Sequence, residues 1–450
     1  MPGIYGGSAV APSSRRSWGV ARENQVGVAT PPTSTVPVDA KSLAPMDDVH
    51  FLPDEAIRGQ MALLYNEIIG PEDATFSFGG PNFLDVYGYF FDCTFGDLST
   101  VGSSPTNGTT LAGSVATLAI GGTQATINNA TGYASASTVQ IDSGNITEVV
   151  VLSTAPSGTL ITFGNDPLRF PHASGATVST VSSSGLFTHT FALLNSTLGY
   201  GGVAGAQPPT LTLTDATNLS YTGSPGTNTS GARAYVSACV SAIDITGNSE
   251  TLLDFKVTGN SWVSAPASAA PTNTVSSVIP VANWRAQIYI GGTAASNQVF
   301  QIGEWALNIK RQLQVYWTVQ GIQNPYIIAR GPLSATFSLK YTAPYDESPL
   351  ALMLYEGYQW VHIVLNNGLA GNAAIILTVN AHNCQAVKSK PSSSSVLIDF
   401  DDSFECIASS SDSGGSGGLG PLTVTLQNQV ATYAMHPEDG FPPPGTWHLL

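Results

Sequence analysis

The 450-residue chain carries few charges, and most of them are acidic. Lys, Arg, Asp and Glu make up 10% of the residues and the formal net charge is −15, whereas a typical soluble domain is about 25% charged. No Lys or Arg occurs between residues 59 and 168. The chain therefore has no basic stripe for gripping phosphates, which argues against specific nucleic-acid binding. A length of 450 residues allows two or three domains.

The N-terminal segment, residues 1–40, is low in complexity and contains five prolines. Such a segment cannot bury a core of its own, so we expect it to be disordered or to order as an arm against a partner. The stretch SRRSW within it has the arginine pair of a twin-arginine signal, but no apolar region follows. No apolar run is long enough for a membrane span. We expect a soluble protein without an export signal or membrane contact.

Residues 41–98 and 186–265 are predicted to form a first, discontinuous β-domain. FSFGG is typical of a strand that ends in a glycine turn, and RGQMALLYNEII is also interpreted as a strand. Phe83, Tyr87 and Phe90 follow helical spacing and predict a short amphipathic helix. Strands such as FTHTFALL and ARAYVSACVSAIDI resume after residue 186.

Residues 99–185 differ in composition from both flanks. They are rich in Gly, Ser and Thr, carry no charge between Asp97 and Asp142, and alternate in runs such as TEVVVL and TLITF. This pattern predicts a small antiparallel β module inserted into the first domain. A linker at 266–283 then leads to a second β-domain at 284–430, which contains a short helix in SPLALMLYEG and a flexible loop in SDSGGSGGLG. Residues 431–450 are a proline-rich tail.

The sequence of one predicted strand occurs twice in the chain. GPEDATFSF at 70–78 returns as GPLSATFSL at 331–339. Each copy is followed by an aromatic-bearing helical stretch. Cys239 and Cys384 each precede, by 15 residues, the aspartate of a matching strand end, LLDF or LIDF. We interpret the chain as two tandem copies of one strand-rich domain, the first of which carries the insertion.

The sequence offers no catalytic, metal-binding or cofactor-binding motif. There is no HExxH, GxSxG, P-loop or GxGxxG pattern, and the four cysteines form no CxxC pair. We expect buried free thiols rather than disulfides. His362 and His382 are interpreted as satisfied strand residues, and Asp399, Asp401 and Asp402 as a solvated strand end. The chain is not expected to be an enzyme.

The order and spacing of several stretches resemble the major tail tube proteins of long-tailed, siphovirus-type phages of actinobacteria. The resemblance covers residues 45–430, and it is carried by these stretches: RGQM…YNEIIGPEDATFSFGGPNFLDVYGYFFDCTFGDLSTVG, PLRFPHASGATV, WRAQIYIGGTAASNQV, QLQVYWTVQGIQNPYIIARGPLSATFSL and VLIDFDDSFECIASSSDSGGSGGLGPLTVTLQN. It implies a mainly β fold of two tandem tail-tube-type β-sandwich or barrel domains, each with a short flanking helix. It also implies a structural virion protein, assembled in the host cytoplasm, whose stacked rings form the hollow tail tube for genome ejection.

The resemblance further implies contacts with the tape measure protein, with the tail terminator and distal tail proteins, and transiently with passing DNA. Since tube rings of this type commonly hold six domains, two copies per chain predict a trimeric ring with pseudo-sixfold symmetry. The alternative is a hexameric ring lined only by the C-terminal half. An acidic lumen would let DNA slide without sticking.

Self-assembly needs contact surfaces, and the region QVYWTVQGIQNPYIIARG provides aromatic candidates. Tyr316, Trp317 and Tyr326 are the residue types that anchor interfaces; the alternative is that they pack in the subunit's own core. Two other classes of protein remain open from sequence alone. These are a capsid or decoration protein, which would usually carry a basic arm, and a secreted Ig-like adhesin, which would need an export signal.

Overall fold

The computed structural model describes residues 15–433, except 24–25, 31–34, 56–63, 82, 103–104, 113–116, 120, 164–167, 183–184, 196–206, 224–225, 272–277, 320, 343–349, 351–352, 356 and 394–396. The fold is mainly β, with antiparallel sheets and a single α-helix among these residues. None of the helices in this part of the chain is long and apolar enough to span a membrane.

Four groups of strands follow one another along the chain. The first group contains β1 (Ser17–Arg22), β2 (Val36–Pro37), β3 (Ser42–Leu43), β4 (Met46–Asp54), β5 (Asn66–Pro81), the helix α1 (Gly88–Phe95) and β6 (Gly96–Gly102). The second contains β7 (Thr106–Thr110), β8 (Thr117–Leu118), β9 (Gln124–Thr126), β10 (Thr138–Ile141), β11 (Glu148–Val151), β12 (Leu160–Thr162), β13 (His172–Ala173) and β14 (Thr177–Thr180). The third contains β15 (Phe187–Leu193), β16 (Leu211–Ala216), β17 (Tyr221–Gly223), β18 (Gly226–Asn228), β19 (Ala232–Asn248), β20 (Asp254–Ser261) and β21 (Ala265–Pro266). The fourth contains β22 (Gln287–Ile290), β23 (Gln298–Val299), β24 (Ile302–Tyr316), β25 (Ile327–Thr342), β26 (Tyr358–Asn366), β27 (Ile376–Ser392), β28 (Asp399–Cys406) and β29 (Thr423–Asn428).

The second group, within the predicted insertion, pairs only within itself. Its largest sheet has the order β11-β10-β14-β7. Its buried side chains, among them Ile127, Val139 and Phe163, form a cluster that is separate from the main core. Backbone bonding to the rest of the chain includes the N–H of Thr100, which donates to the carbonyl of Thr147 at 3.0 Å.

Within a network of 19 paired strands, eight strands follow one another in the order β4-β5-β20-β19-β24-β25-β28-β27, and we call these the eight-strand sheet. Along most of these strands, buried apolar residues alternate with more exposed polar ones, as expected for a sheet with one solvated face, whereas β4 has no buried residue. Phe76, Ile243, Leu307, Phe337 and Phe404 are among the buried residues of the main core.

The two halves of the eight-strand sheet repeat the same pairing. We call β4, β5, β20 and β19 the first half, and β24, β25, β28 and β27 the second half; the short β3 pairs with β5 next to β4 and extends the first half. Ala74 faces Ser261 and Pro81 faces Asp254 in the first half. In the second half, Ala335 faces Cys406 and Thr342 faces Asp399. GPEDATFSF and GPLSATFSL therefore lie at equivalent positions of two equivalent ladders.

The repeated Gly-Pro occupies the same β-bulge in both hairpins. In the first half, His50 lies opposite Gly70 and Pro71, between the pairs Val49–Glu72 and Phe51–Ile69. In the second, Gln312 lies opposite Gly331 and Pro332, between Arg311–Leu333 and Leu313–Arg330. Proline has no N–H for a ladder hydrogen bond, so inside a sheet it is confined to edges and bulges.

The cysteine spacing noted in the sequence is not a structural equivalence. Cys239 faces Asn260, whereas Cys384 faces Cys406, one position further along the ladder than the repeat requires. Three of the cysteines are buried and Cys406 is partly buried, and all four are free thiols, as predicted.

The helix predicted around Phe83, Tyr87 and Phe90 exists, but it begins later and is not amphipathic. Residues 84–87 form turns, α1 begins at Gly88, and nearly all of its side chains are buried. Tyr87 stacks on Phe255 with ring centroids 3.6 Å apart, just before the helix. The helix is buried because it fills the core behind the sheet. Of the second predicted helix, in SPLALMLYEG, the described Leu350, Met353 and Leu354 are helical, as predicted, and residues 348–349, 351–352 and 356 lie outside the described residues. The helix α1 is thus the one described over its whole length.

Part of the N-terminal segment is a strand of this chain's own sheet, and the expectation of a free or partner-bound arm is wrong for these residues. β1 pairs with β16 over six residues, and Trp18 and Val20 are buried in the main core. The alternation of Trp18 and Val20 with smaller residues gives this short run the apolar face that the proline-rich composition obscured. Residues 1–14 are outside the described part of the chain.

A buried carboxyl group, Glu23, ties this segment to β19. It accepts hydrogen bonds from the hydroxyls of Thr210 and Thr212 at 2.6 and 3.1 Å and from the N–H of Ser237 at 2.7 Å. Ser237 has a positive φ of 53° at a bulge in β19. Burial outweighs these hydrogen bonds and raises the pKa of Glu23 to about 7.

The bulge predicts unequal effects of two glycine substitutions. A Cβ at Gly70 would lie 2.7 Å from the carbonyl oxygen of His50, whereas at Gly331 the nearest atom is the side-chain Cβ of Gln312 at 3.3 Å. Gly70→Ala should destabilise the fold by about 1–3 kcal/mol, because the backbone of His50 must move to make room for the new Cβ. Gly331→Ala is the matched control and should change stability by less than about 1 kcal/mol. Chemical denaturation measures both, and equal losses would contradict this account of the bulge.

Glu23 predicts a pH dependence of stability. Because its pKa is higher in the folded than in the unfolded chain, the folded state binds more protons between about pH 4.5 and 7. Its contribution to stability therefore falls as the pH rises through this window, by at most roughly 3 kcal/mol, and is constant above it. Glu23→Gln should reduce the difference in thermal midpoint between pH 5 and pH 7.5, whereas the exposed Glu250→Gln should not. An unchanged difference in Glu23→Gln would refute this role.

Candidate assembly interface

The exposed face of the eight-strand sheet, which we call the polar face, carries most of the chain's lysines. Five of the six lysines lie on it, mixed with eight carboxylates and otherwise small residues such as Thr75, Ser77 and Ser338. The lysines are Lys256, Lys310, Lys340, Lys388 and Lys390; the carboxylates are Asp48, Asp73, Asp244, Asp254, Glu304, Asp399, Asp401 and Glu405. Most of the chain's net negative charge therefore lies elsewhere.

A depression lies on this face. It is open to solvent, measures about 610 Å³, and includes Asp254, Glu304, Lys340, Lys390 and Asp401 in its lining. Its described lining contains hydroxyl, amine and carboxylate side chains but no cysteine or histidine. It is a concave, mixed-charge surface rather than an enclosed ligand site.

The predicted solvated strand end around Asp399 is only partly exposed. Asp402 points to the buried side of β28 and accepts a hydrogen bond from the hydroxyl of Tyr341 at 2.8 Å. Burial raises the pKa of Asp402. Asp401 lies on the polar face and pairs with Lys388 at 2.6 Å. The sequence could not separate these neighbours because the strand sends them to opposite faces.

Among the described strands, none pairs with the outer side of β4 or with one side of β27 beyond Gln385. β4 pairs only with β5. β27 pairs with β28 on one side from Cys384 to Ser392, and on its other side β26 reaches only to Gln385. Unpaired rows of N–H and C=O groups are templates for pairing with another chain.

The β4 edge carries a like-charge pair. Asp48 lies directly opposite Asp73, and Asp73 is 3.6 Å from the imidazole of His50. Burial raises the pKa of Asp73; His50 opposes this shift and Asp48 adds to it. These three residues are also the only described group whose ligand atoms are close enough together to hold a metal ion. Two of them are exposed, and adjacent exposed carboxylates are common without an ion.

The three predicted interface aromatics lie at the tip of the β24–β25 hairpin and are not part of the core. Tyr316, Trp317 and Tyr326 are 45%, 38% and 53% exposed. The ring of Trp317 meets that of His50 at 5.7 Å, and Gln323 donates a hydrogen bond to the carbonyl of Gly70 at 3.0 Å. The second hairpin thus rests on the bulge of the first, while both tyrosines remain accessible.

Histidines elsewhere have partners within the chain. His362 is hydrogen-bonded to Asn380 at 2.6 Å and His382 to Asp412 at 2.7 Å, which confirms the prediction for both. His172 lies buried between Asp142 and Glu148, at 3.0 Å from each. Glu148 in turn accepts the N–H groups of residues 169 and 170. The described partners of these groups are all within the chain, so they hold loops in place.

The loop SDSGGSGGLG is not the flexible segment that its composition suggested. The carboxylate of Asp97 accepts hydrogen bonds from the N–H and the hydroxyl of Ser416 at 2.7 and 2.6 Å. Asn195 donates to the carbonyls of Gly417 and Leu419. Partners more than 200 residues away in sequence hold the loop, and glycine-rich composition alone cannot reveal them.

Sequence reasoning missed the charged residues at the two open edges. Asp48, Lys388 and Lys390 were not singled out. KSKPS gave a signal, because its two lysines stand two positions apart and therefore on one face of a strand, whereas the adjacent aspartates of MDD gave none. Which strand ends are open depends on pairings between segments far apart in sequence.

The chain matches no protein-family model, and no curated protein is similar enough to it in sequence to count as a match.

Proposed function

We propose that this chain is a structural virion protein that self-assembles into stacked rings, which form the hollow tail tube of a siphovirus-type phage and conduct the genome into the host. One observation carries the proposal: an eight-strand sheet, made of two equivalent halves, that ends in an open edge on both sides. Further copies of the same chain can continue this sheet, and closing it into a barrel leaves no open edge.

The pairing of the two halves supports a ring of three chains. Both halves expose the same face, and β19 of the first joins β24 of the second directly. Each chain therefore acts as two tandem tube-type units, and three chains supply six. A barrel of 24 strands, spaced roughly 4.8 Å apart and tilted by about 40°, is roughly 50 Å across between backbones. A hexamer lined only by the second half would leave the matching polar face of the first unexplained.

The polar face is the proposed lining of the channel. Its small hydroxyl side chains offer no apolar surface, and its mixed charges include eight carboxylates and five lysines. This differs from the strongly acidic lumen expected from net charge. Close pairs of opposite charge, such as Lys388 and Asp401 at 2.6 Å, cancel at distance, so passing DNA would meet a weak field rather than a repelling or binding one.

The partners of such a tube follow from the same proposal. They are further copies of this chain, the tape measure protein inside, and the terminator and distal tail proteins at the ends, with assembly in the host cytoplasm and the tail as final location. A capsid or decoration protein and an adhesin remain the competing classes. Neither accounts for two equivalent half-sheets with a shared polar face.

Electron microscopy of the purified protein tests the proposal. We expect hollow tubes or end-on rings whose mass corresponds to three chains of 46.7 kDa per ring. Six chains per ring would retain the tube and contradict the lining by both halves. A protein that stays monomeric at every concentration would overturn the function itself.

The hairpin tip predicts which aromatics assist assembly. Tyr316→Ser and Tyr326→Ser should leave the circular dichroism spectrum unchanged, because both side chains are exposed in the single chain. Each should raise the critical concentration for assembly roughly five- to tenfold, the loss expected for an interface anchor. Tyr355→Ser, at a tyrosine that is 83% exposed, is the matched control. If all three variants assemble alike, the tip does not contact another copy.

A further inference from the structure

The junction between the two halves shows how two such units join. β19 and β24 pair antiparallel, with Ala242 opposite Lys310 and Asn248 opposite Glu304. Asp244 lies directly opposite Lys256 on its other side and diagonally from Lys310, and both lysines lower its pKa against the effect of burial. The internal junction is thus marked by a row of charges in the order Lys, Asp, Lys.

The repeat transfers this geometry to the open edges. β27 pairs with β28 as β19 pairs with β20, and β3–β4 pair with β5 as β24 pairs with β25. β27 is therefore the equivalent of β19, and β3–β4 are the equivalent of β24. We infer that the open edge of β27 in one copy pairs antiparallel with β3–β4 of the next copy, with Lys388 opposite Asp48 and Ser392 opposite Ala44. The inference rests on the proposed self-assembly and adds to it the partner strand and the register.

Charge complementarity supports this register independently of the backbone. Lys390 lies directly opposite Asp401 and takes the position of Asp244; Asp48 of the next copy takes the position of Lys310. The row across the proposed junction is therefore Asp, Lys, Asp, which is the internal row with every sign exchanged. A shift by one residue would move Asp48 to the opposite face from both lysines.

The like-charge pair on the β4 edge would gain lysines from the neighbouring copy. Asp48 and Asp73 are like charges in directly opposed positions, an arrangement that destabilises a sheet. The equivalent residues of the second half are Lys310 and Ser334, so the repeat itself does not demand two carboxylates. Lys388 and Lys390 of a second copy would neutralise them.

The competing explanation is that the β27 edge is protected against pairing. Lysine and proline on an edge strand are common devices against aggregation, and Pro391 cannot donate a hydrogen bond to a neighbour. Protection explains Lys388, Lys390 and Pro391. It does not explain why the acidic β4 edge mirrors the charge row of the internal junction, and it predicts no contact between these strands in any assembly.

Cross-linking tests the register. Ser392→Cys with Ala44→Cys places two thiols at directly opposed positions on one face, within the range that forms a disulfide. In assembled protein, oxidation should give a covalent ladder on non-reducing gels that ends at the number of chains in a ring, three in the proposed one. Ser392→Cys with Met46→Cys is the control, because Met46 is exposed and lies two residues further along, at a diagonal position too distant for a disulfide. A stronger ladder in the control would overturn the register.

Exchange of the charge row tests its role. Asp48→Lys alone should raise the critical concentration at least roughly tenfold at low salt, because it sets like charges side by side. A triple variant gives the β27 side of the junction the residues of the internal row: Lys388→Ala, Lys390→Asp and Asp401→Lys. With Asp48 unchanged in the next copy, this variant should impair assembly as much as Asp48→Lys does. All four changes in one chain recreate the internal junction and should restore assembly to within roughly threefold of the original.

Glu405→Lys changes net charge as much as Asp48→Lys does, but lies on β28 away from both edges, and should assemble normally. The junction would be overturned if the four-fold variant is soluble and folded but does not assemble. It would also be overturned if Glu405→Lys raises the critical concentration as much as Asp48→Lys does. Tubes that form without either cross-link would overturn the junction while the proposed function stands. Unaltered protein that never assembles would instead reject the function.

Discussion

The structure depends above all on the need of every strand to have its backbone N–H and C=O groups paired. Two long strands, β19 and β27, meet this need by changing partners along their length. β19 pairs first with β16 and then with β20, and β27 pairs first with β26 and then with β28. This change of partner brings the second part of each strand into the polar-faced sheet. It also leaves one side of β27 beyond Gln385 without a described strand partner, and the proposed assembly rests on this side.

The bulges place the remaining features relative to this sheet. At each repeated Gly-Pro the ladder gains a residue, and beyond it the hairpins run on past the eight-strand sheet. Tyr316, Trp317 and Tyr326 reach their exposed position through this extension, and the second hairpin rests on the bulge of the first. In the same way, the bulge at Ser237 needs the carboxyl of Glu23, so part of the N-terminal segment is built into the subunit.

Much of the fold was predictable because strand alternation and the duplicated GPxxATFS segment are local in sequence. The mainly β class, the first helix and the buried thiols followed from such patterns. The helix boundary, the role of Trp18 and the order of the loop at residues 411–420 did not, since each depends on contacts with distant segments such as β16 or Asn195. The edge charges were missed for the same reason. Asp48 and Lys390 acquire meaning only when the register of eight strands is known.

The fusion of two equivalent halves changes the thermodynamics of building a closed ring. In a ring of single-unit subunits every seam is formed by a collision, and each collision forfeits translational and rotational freedom. Here the seam between β19 and β24 forms within one polypeptide, at the high effective concentration that a covalent connection provides. In the proposed ring, half of the seams would be complete before two molecules meet, and each seam could evolve its own charges because the two are encoded separately.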